Sequence, residues 1–210
     1  YEQFVDIWLR EAETRGLKSE LGERVAKVAK FALARLALAI TERADKISAE
    51  ELFQVAMEYL RETLHLSENE AEIDGKRFVQ VMARRSGVFV RRGDVYDWIH
   101  PTFREYLTAD AIVYECRQDL ECVWKRAVSH WWNRREVSLF ALSVLSDAEK
   151  DVTTLVERIW GGSWIERKWH LVGVILGRDL HFAGHALADQ VRVKDATSQR
   201  IICLLYTSDA

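Results

Sequence analysis

His100 stands immediately before Pro101, where a stretch rich in β-branched and aromatic residues gives way to a run with helical spacing. Proline fits the first turn of a helix, where a missing N–H costs nothing. His100 is therefore expected in an N-cap-like position at a strand–helix junction. The backbone N–H groups of Thr102 and Phe103 are expected to lack intrahelical partners there, and the positive end of the helix dipole adds to them. That combination makes an anion site, and an imidazole beside it can donate to a phosphate oxygen. The same spacing also allows a histidine that only caps the helix or packs beneath the strands.

A second set of residues could grip phosphate differently. Between Gly75 and Arg104 stand seven cations (Lys76, Arg77, Arg84, Arg85, Arg91, Arg92, Arg104) and two acids (Asp94, Asp97). On a helix followed by a β-hairpin, such a cluster could contact the backbone of DNA and its major groove. It could equally be a solvated face balanced by the acidic stretch before it, with Arg84 and Arg85 complementing the negative end of a helix dipole. His181 and His185 are spaced i,i+4, but local spacing offers no Cys or His to complete a metal site. The sequence contains no GxxxxGK[ST], GxSxG or HExxH motif. Three cysteines, Cys116, Cys122 and Cys203, give an odd count with no CxxC spacing, so reduced thiols are expected rather than a disulfide framework.

Composition bounds these options. The 210 residues carry a formal net charge of −3, with 49% hydrophobic and 30% charged residues, as in a soluble globular protein. As a whole the chain is no polyanion binder. No uncharged apolar run approaches the roughly 20 residues of a membrane span. Cytoplasmic localisation with no membrane partner is the expectation, and Tyr1-Glu2-Gln3-Phe4 reads as mid-domain sequence.

The elements that must position His100 follow from periodicity. Residues 1–16 read as the end of a helix stopped by Gly16, and a second helix is expected from about Ser19 to Ile40. Ser48 and Glu51 form a capping box for a third helix, with Ile47 and Leu52 at staple positions and Leu52, Val55, Ala56, Tyr59 and Leu60 as its buried stripe. Asp74 is expected to cap a fourth helix that buries Phe78, Val81 and Met82 and ends at Gly87. Val88–Arg92 and Val95–Ile99 then read as two strands around a Gly93-Asp94 II′ turn, facing Phe89 with Trp98 and Val88 with Ile99. Three helices followed by a hairpin is the layout of a winged helix.

Beyond Cys116 the chain reads as helical and self-similar. A shift of about 32 positions places Arg126 on Arg158, Trp132 on Trp164, Arg135 on Arg167, Leu139 on Leu171 and Asp147 on Asp179, and Val123 on Leu155 and then Leu187. A period of this size suits stacked two-helix repeats. Trp131, Trp132, Trp160 and Trp164 would then build the core between helix pairs or form a contact surface. The fold class is mainly α: a winged-helix domain with one β-hairpin, followed by α-helical (HEAT/TPR-like) repeats. The expected organisation is the end of an upstream helical lid (1–17), a winged-helix domain with its C-terminal helix (18–116), a helical-repeat region (117–200) and a non-native tail (201–210).

The stretch Arg85-Ser86-Gly87-Val88-Phe89-Val90, continuing to Tyr96-Asp97-Trp98-Ile99-His100-Pro101-Thr102-Phe103-Arg104-Glu105-Tyr106-Leu107-Thr108-Ala109, closely resembles the winged-helix segment of NACHT-type STAND NTPases. There an arginine-serine-glycine, a short hairpin and a phrase like F-I-H-x-T-F-x-E-Y-L-A-A follow one another. The opening Tyr1–Leu9 is similar to the chain leaving that family's helical lid. Trp98 stands in place of the usual Phe, and Pro101 and Arg104 replace commoner residues.

The resemblance implies that His100 reaches the β-phosphate of bound ADP and holds a resting state closed. Exchange for ATP, with Mg, would release the winged helix and repeats, usually toward a homo-oligomer. Glu105 and Tyr106 are implied to fix the helix. The Walker motifs would lie upstream, so the fragment itself is expected to be no enzyme, its parent being an ATPase switch in signal transduction and defence. Implied partners are the upstream NTPase domain in cis and an unknown ligand or protein sensed by the repeats. A DNA-binding winged-helix regulator and a helical-repeat interaction scaffold are the alternatives.

Overall fold

The structure is a computed structural model that describes Ile7 and residues 16–43, 47–86, 89–98, 100–130, 133–161 and 178–208. It is mostly helical with a small three-stranded antiparallel sheet, and its chain divides into two compact units, Tyr1–Ala111 and Ile112–Ala210.

In the first unit the long helix expected from Ser19 is three pieces: α1 (Leu17–Leu21), α2 (Glu23–Lys27) and α3 (Ala29–Glu42). Gly22 causes the first break, because its φ of +78° and ψ of 155° cannot continue a helix. Val28 causes the second, with its N–H bonded to Val25 O. The apolar side chains keep their inward faces: Leu21, Val25, Leu33, Leu36 and Ile40 are all buried. Of the helix expected before Gly16, all but Ile7 lies outside the described residues.

A two-residue strand that periodicity did not reveal, β1 (Ile47–Ser48), precedes α4 (Ala49–Leu64). The capping box is present in both directions: Ser48 Oγ accepts from Glu51 N–H at 3.2 Å, and Glu51 Oε2 accepts from Ser48 N–H at 3.0 Å. Ile47 and Leu52 are buried at the staple positions. Along α4, Leu52, Ala56 and Leu60 are buried while Val55 and Tyr59 are half-buried, a narrower stripe than expected.

Helix α5 (Glu68–Val81) starts earlier than expected. Ser67 and Glu70 form its capping box, and Asp74 lies inside the helix. The turn before it is compact: His65 is left-handed (φ 53°), and Leu66 N–H reaches back to Arg61 O at 3.2 Å. Helices α4 and α5 pack closely enough that a Cβ on Gly75 would sit 2.8 Å from Met57 N. Phe78, Val81 and Met82 are buried as expected, and each large side chain removed from water contributes about 1.5–3 kcal/mol. A π-helical turn (Met82–Ser86) follows; Gly87 lies outside the described residues.

The hairpin is β2 (Phe89–Arg92) and β3 (Val95–Trp98), with Phe89 opposite Trp98 as the side-chain pairing requires. Gly93 takes φ +65° while Asp94 stays at negative φ, which fits a II′ turn and not I′. The expected Val88–Ile99 pair lies outside the described residues. The sheet order is β1-β3-β2, because Ile47 pairs with Tyr96 and Ser48 with Val95. Helix α6 (Pro101–Glu115) begins in this unit, which ends within it at Ala111; there Thr41 and Thr108 share a buried hydroxyl–hydroxyl bond of 3.0 Å between α3 and α6.

The second unit holds α7 (Leu120–Arg126), a 3₁₀ turn (Val128–His130), α8 (Arg135–Asp147), α9 (Thr153–Gly161), α10 (Arg178–Ala188) and α11 (Asp195–Ser208). The segment before α11 is laced to the end of α8, the connection after it and the start of α9: Arg192 N–H donates to Ser146 Oγ, Val152 N–H to Arg192 O, and Lys194 N–H to Thr153 Oγ1. Of the positions related by the 32-residue shift, Val123 and Leu155 are both buried and Leu187 is half-buried. Arg126 and Arg158 each pair with a glutamate, Glu115 and Glu121, at 2.6 Å. Asp147 is exposed where Asp179 is buried, and Trp132, Trp164, Arg167 and Leu171 lie outside the described residues. In α11, Ile201 is buried while Ile202, Leu204 and Tyr206 are exposed.

The cysteines differ from expectation. Cys116 and Cys122 form a disulfide with Cα atoms 5.6 Å apart, and Cys203 is exposed and lies outside that bond. Spacing arguments keyed to CxxC overlook a pair brought together by a chain reversal, which is how Cys116 and Cys122 meet.

Candidate functional site

The end of the wing and the start of α6 are built on a row of aromatic rings. Phe53 of α4 meets Tyr96 edge-on at 6.3 Å, Tyr96 meets Phe89 at 6.3 Å, Phe89 meets Trp98 at 4.7 Å, and Trp98 meets Phe103 at 5.9 Å. Period-2 alternation puts Tyr96 and Trp98 on one face of β3, and the Phe89–Trp98 register brings Phe89 onto that face. The first three pairs are edge-to-face, an arrangement that contributes about 0.5–1.5 kcal/mol each beyond the buried area, and the Trp98–Phe103 pair is tilted. The row fixes the direction in which the chain enters α6. Trp98 is buried, and its indole N–H finds no acceptor among the described residues.

His100 sits where the sequence placed it, directly before Pro101 at the head of α6. Its carbonyl accepts from Arg104 N–H at 3.3 Å and from Phe103 N–H at 3.2 Å, which is the backbone role of an N-cap residue. One expectation changes: Phe103 N–H is not free, because the first turn is tight enough to use it. The imidazole is exposed, so it does not pack beneath the wing, and it makes no side-chain hydrogen bond to a described residue. Its surroundings divide cleanly. Phe103, Tyr106 and Leu107 are buried on the inner side of the helix, while His100, Pro101 and, partly, Thr102 face water. Tyr106 is thus buried in the packing of α6, and Glu105 is half-buried.

Four of the seven cations in the basic stretch lie beside carboxylates. Lys76 bonds Glu72 at 2.7 Å, Arg77 lies 3.9 Å from Asp74, Arg84 lies 3.6 Å from Glu20, and Arg92 lies 3.9 Å from Asp97. The Lys76 bond raises its ammonium above the usual lysine value and lowers the Glu72 carboxyl, through hydrogen bond first and charge second. Arg104 is half-buried on α6, and the side chains of Arg85 and Arg91 lie outside the described residues. His181 and His185 are both exposed on α10. The tryptophan surface expected at Trp131, Trp132, Trp160 and Trp164 lies outside the described side chains. No described helix is long and apolar enough to cross a membrane.

Sequence reasoning missed β1, and its only signal was the isoleucine that the capping box assigned to a staple. It also missed the Ser67–Glu70 box, although the same S-x-x-E spacing was present.

No curated protein and no solved structure matches the chain. One family does, described as the winged helix-turn-helix domain C-terminal to NACHT, and it covers residues 1–112. That span contains the α4–turn–α5 pair, the wing, His100 and most of α6. The chain belongs to the family of winged helix-turn-helix domains that lie C-terminal to NACHT.

Proposed function

We propose that this chain is the regulatory part of a NACHT-type switch, in which the winged helix clamps a nucleoside diphosphate held by an NTPase domain upstream in cis. The observation that carries the reading is His100, exposed at the head of a fifteen-residue helix within the matched domain. The residues present fit a phosphate contact. An outward imidazole can donate to an anionic oxygen, and the helix start adds a favourable potential. The aromatic row from Phe53 to Phe103 holds the backbone on either side of it, so the ring is presented from a rigid support. ADP, or ATP with Mg, supplies the phosphate charge that this contact discriminates. His100 supplies a donor on one side only; the remaining ligands belong to the upstream domain.

In this reading the second unit is the sensor. Its helices receive an unknown ligand or protein, and nucleotide exchange frees the winged helix, leading to an assembled signalling form in the cytoplasm. Such a switch works only through the difference between closed and open contacts, on the order of a few kcal/mol. DNA binding is the weaker reading, because carboxylates already partner Lys76, Arg77, Arg84 and Arg92.

The test is made in the intact protein that carries the NTPase domain. His100→Ala is expected to speed ADP release about tenfold, the loss of one charge-assisted hydrogen bond, and to shift the resting protein toward assembly. An unchanged ADP off-rate overturns the role of His100. A salt-sensitive shift of mixed duplex DNA by the present chain would instead favour the DNA reading, since phosphate-driven binding weakens steeply with salt.

A further inference from the structure

The disulfide lies where α6 gives way to α7. Cys116 follows the last residue of α6 and is buried; Cys122 lies in α7 and is half-buried. The turn between them is drawn tight by ties that do not depend on the sulfurs. Gln118 N–H donates to Val113 O at 3.0 Å, and Asp119 N–H donates to Cys116 O at 2.9 Å. The Asp119 carboxylate accepts from Cys122 N–H at 2.8 Å, and Arg126 pairs with Glu115 at 2.6 Å. These contacts would keep the two thiols near one another after the bond is opened, so closing it again costs little loop entropy. The turn also contains two successive exposed residues in the left-handed region, Arg117 (φ 50°) and Gln118 (φ 60°), a conformation unfavourable for non-glycine residues that the disulfide helps these ties to hold.

We propose that Cys116 and Cys122 are a reversible dithiol–disulfide couple, exchanging with glutathione-type thiols and disulfides, whose state sets how firmly α7 is held to the end of α6. Cys122, the more accessible, reacts first. Its thiolate attacks one sulfur of glutathione disulfide, breaking that S–S bond and releasing one glutathione thiolate. The Cys116 thiolate then attacks the Cys122 sulfur of the mixed disulfide and displaces the second glutathione thiolate. Two electrons pass from the protein dithiol to glutathione disulfide, and the two protons shed by the cysteines go to the released thiolates. Excess glutathione drives the same steps backwards.

The test uses the 210-residue chain carrying Cys203→Ser, which removes the exposed third thiol and leaves the pair intact. The protein is equilibrated across glutathione ratios, quenched in acid, alkylated and mapped by peptide mass. Cys116 and Cys122 are expected to lose alkylation together in one transition and to regain it on reduction. The oxidised form is expected to melt about 5 °C higher and to show slower amide exchange over residues 116–126. Three outcomes overturn the proposal: alkylation of both cysteines at the most oxidising ratio, separate titration as two glutathione adducts, or a bond that survives excess dithiothreitol in the native protein. Unchanged exchange over residues 116–126 between the two forms also overturns it.

Discussion

Phe89 and Trp98 face each other across the wing with ring centroids 4.7 Å apart and planes at 70°, and Trp98 alone of that pair also touches Phe103 of α6. Trp98 therefore joins the hairpin to the helix that begins beside His100. Trp98→Ala is expected to cost about 3–5 kcal/mol of unfolding free energy. Trp98→Phe is expected to cost less than about 1.5 kcal/mol, because it keeps a ring in the row and removes an indole N–H with no described acceptor. Denaturant melts of the two variants check this; equal losses would mean that the ring contacts contribute little.

Gly75 illustrates a glycine kept for approach and not for φ. Gly75→Ala adds a Cβ that would lie 2.8 Å from Met57 N and 2.9 Å from Met57 Cα, both backbone atoms that cannot swing away. Alanine raises helix propensity by about 1 kcal/mol, yet overpacking is expected to win, with a net loss of about 1–2 kcal/mol. An increase in melting temperature would show that α4 and α5 can separate at no cost.

The two capping boxes predict an acid limb in stability. Glu51 and Glu70 sit below the usual 4.5, each first because a serine hydroxyl (Ser48, Ser67) donates to it and second because that serine's N–H does. A carboxyl whose folded value is depressed stabilises fully above its unfolded value, and that contribution fades as pH falls through the folded one. Melting temperature should hold from pH 7 to about 5 and decline below 4.5, with a shallower decline in Glu51→Gln/Glu70→Gln. Identical acid limbs in variant and parent would remove the boxes as its cause.

Ser67→Ala is expected to cost about 1 kcal/mol, measured by denaturant unfolding, because it leaves Glu70 N–H without its cap at the start of α5. Asp74→Ala should cost much less, since Asp74 lies within the helix and its link to the exposed Arg77 is a long ion pair of 3.9 Å. The reverse order would restore Asp74 as the start of the helix.

Short-range chemistry was legible in the chain. The Ser48–Glu51 box, the Phe89–Trp98 register, the Gly93 turn and the place of His100 all follow from residues no more than three positions apart or from a two-residue loop. What was not legible depends on distant partners. Helical periodicity runs unbroken through Gly22 and Val28, because the buried face is continuous even where the backbone hydrogen bonds are not. Strand β1 exists only because β3 offers it an edge, and two residues carry no period. His65 takes a left-handed turn where glycine is the usual signal, which concealed the end of α4 and, with it, the start of α5. The cysteine pair is formed by a turn made of Arg117 and Gln118, neither a turn former by type.

Strand β1 and helix α4 share a boundary at Ser48, and Ala49 N–H donates to Asp94 O at the wing tip at 2.9 Å. One residue thus ends a strand against the wing and begins a helix in the core, with no slack between. A load applied at the hairpin tip would be delivered straight into the first turn of α4, and a shift of α4 would tug the tip in return. The wing behaves as a lever welded to its fulcrum: a swing of this domain would carry hairpin, α4 and the head of α6 together.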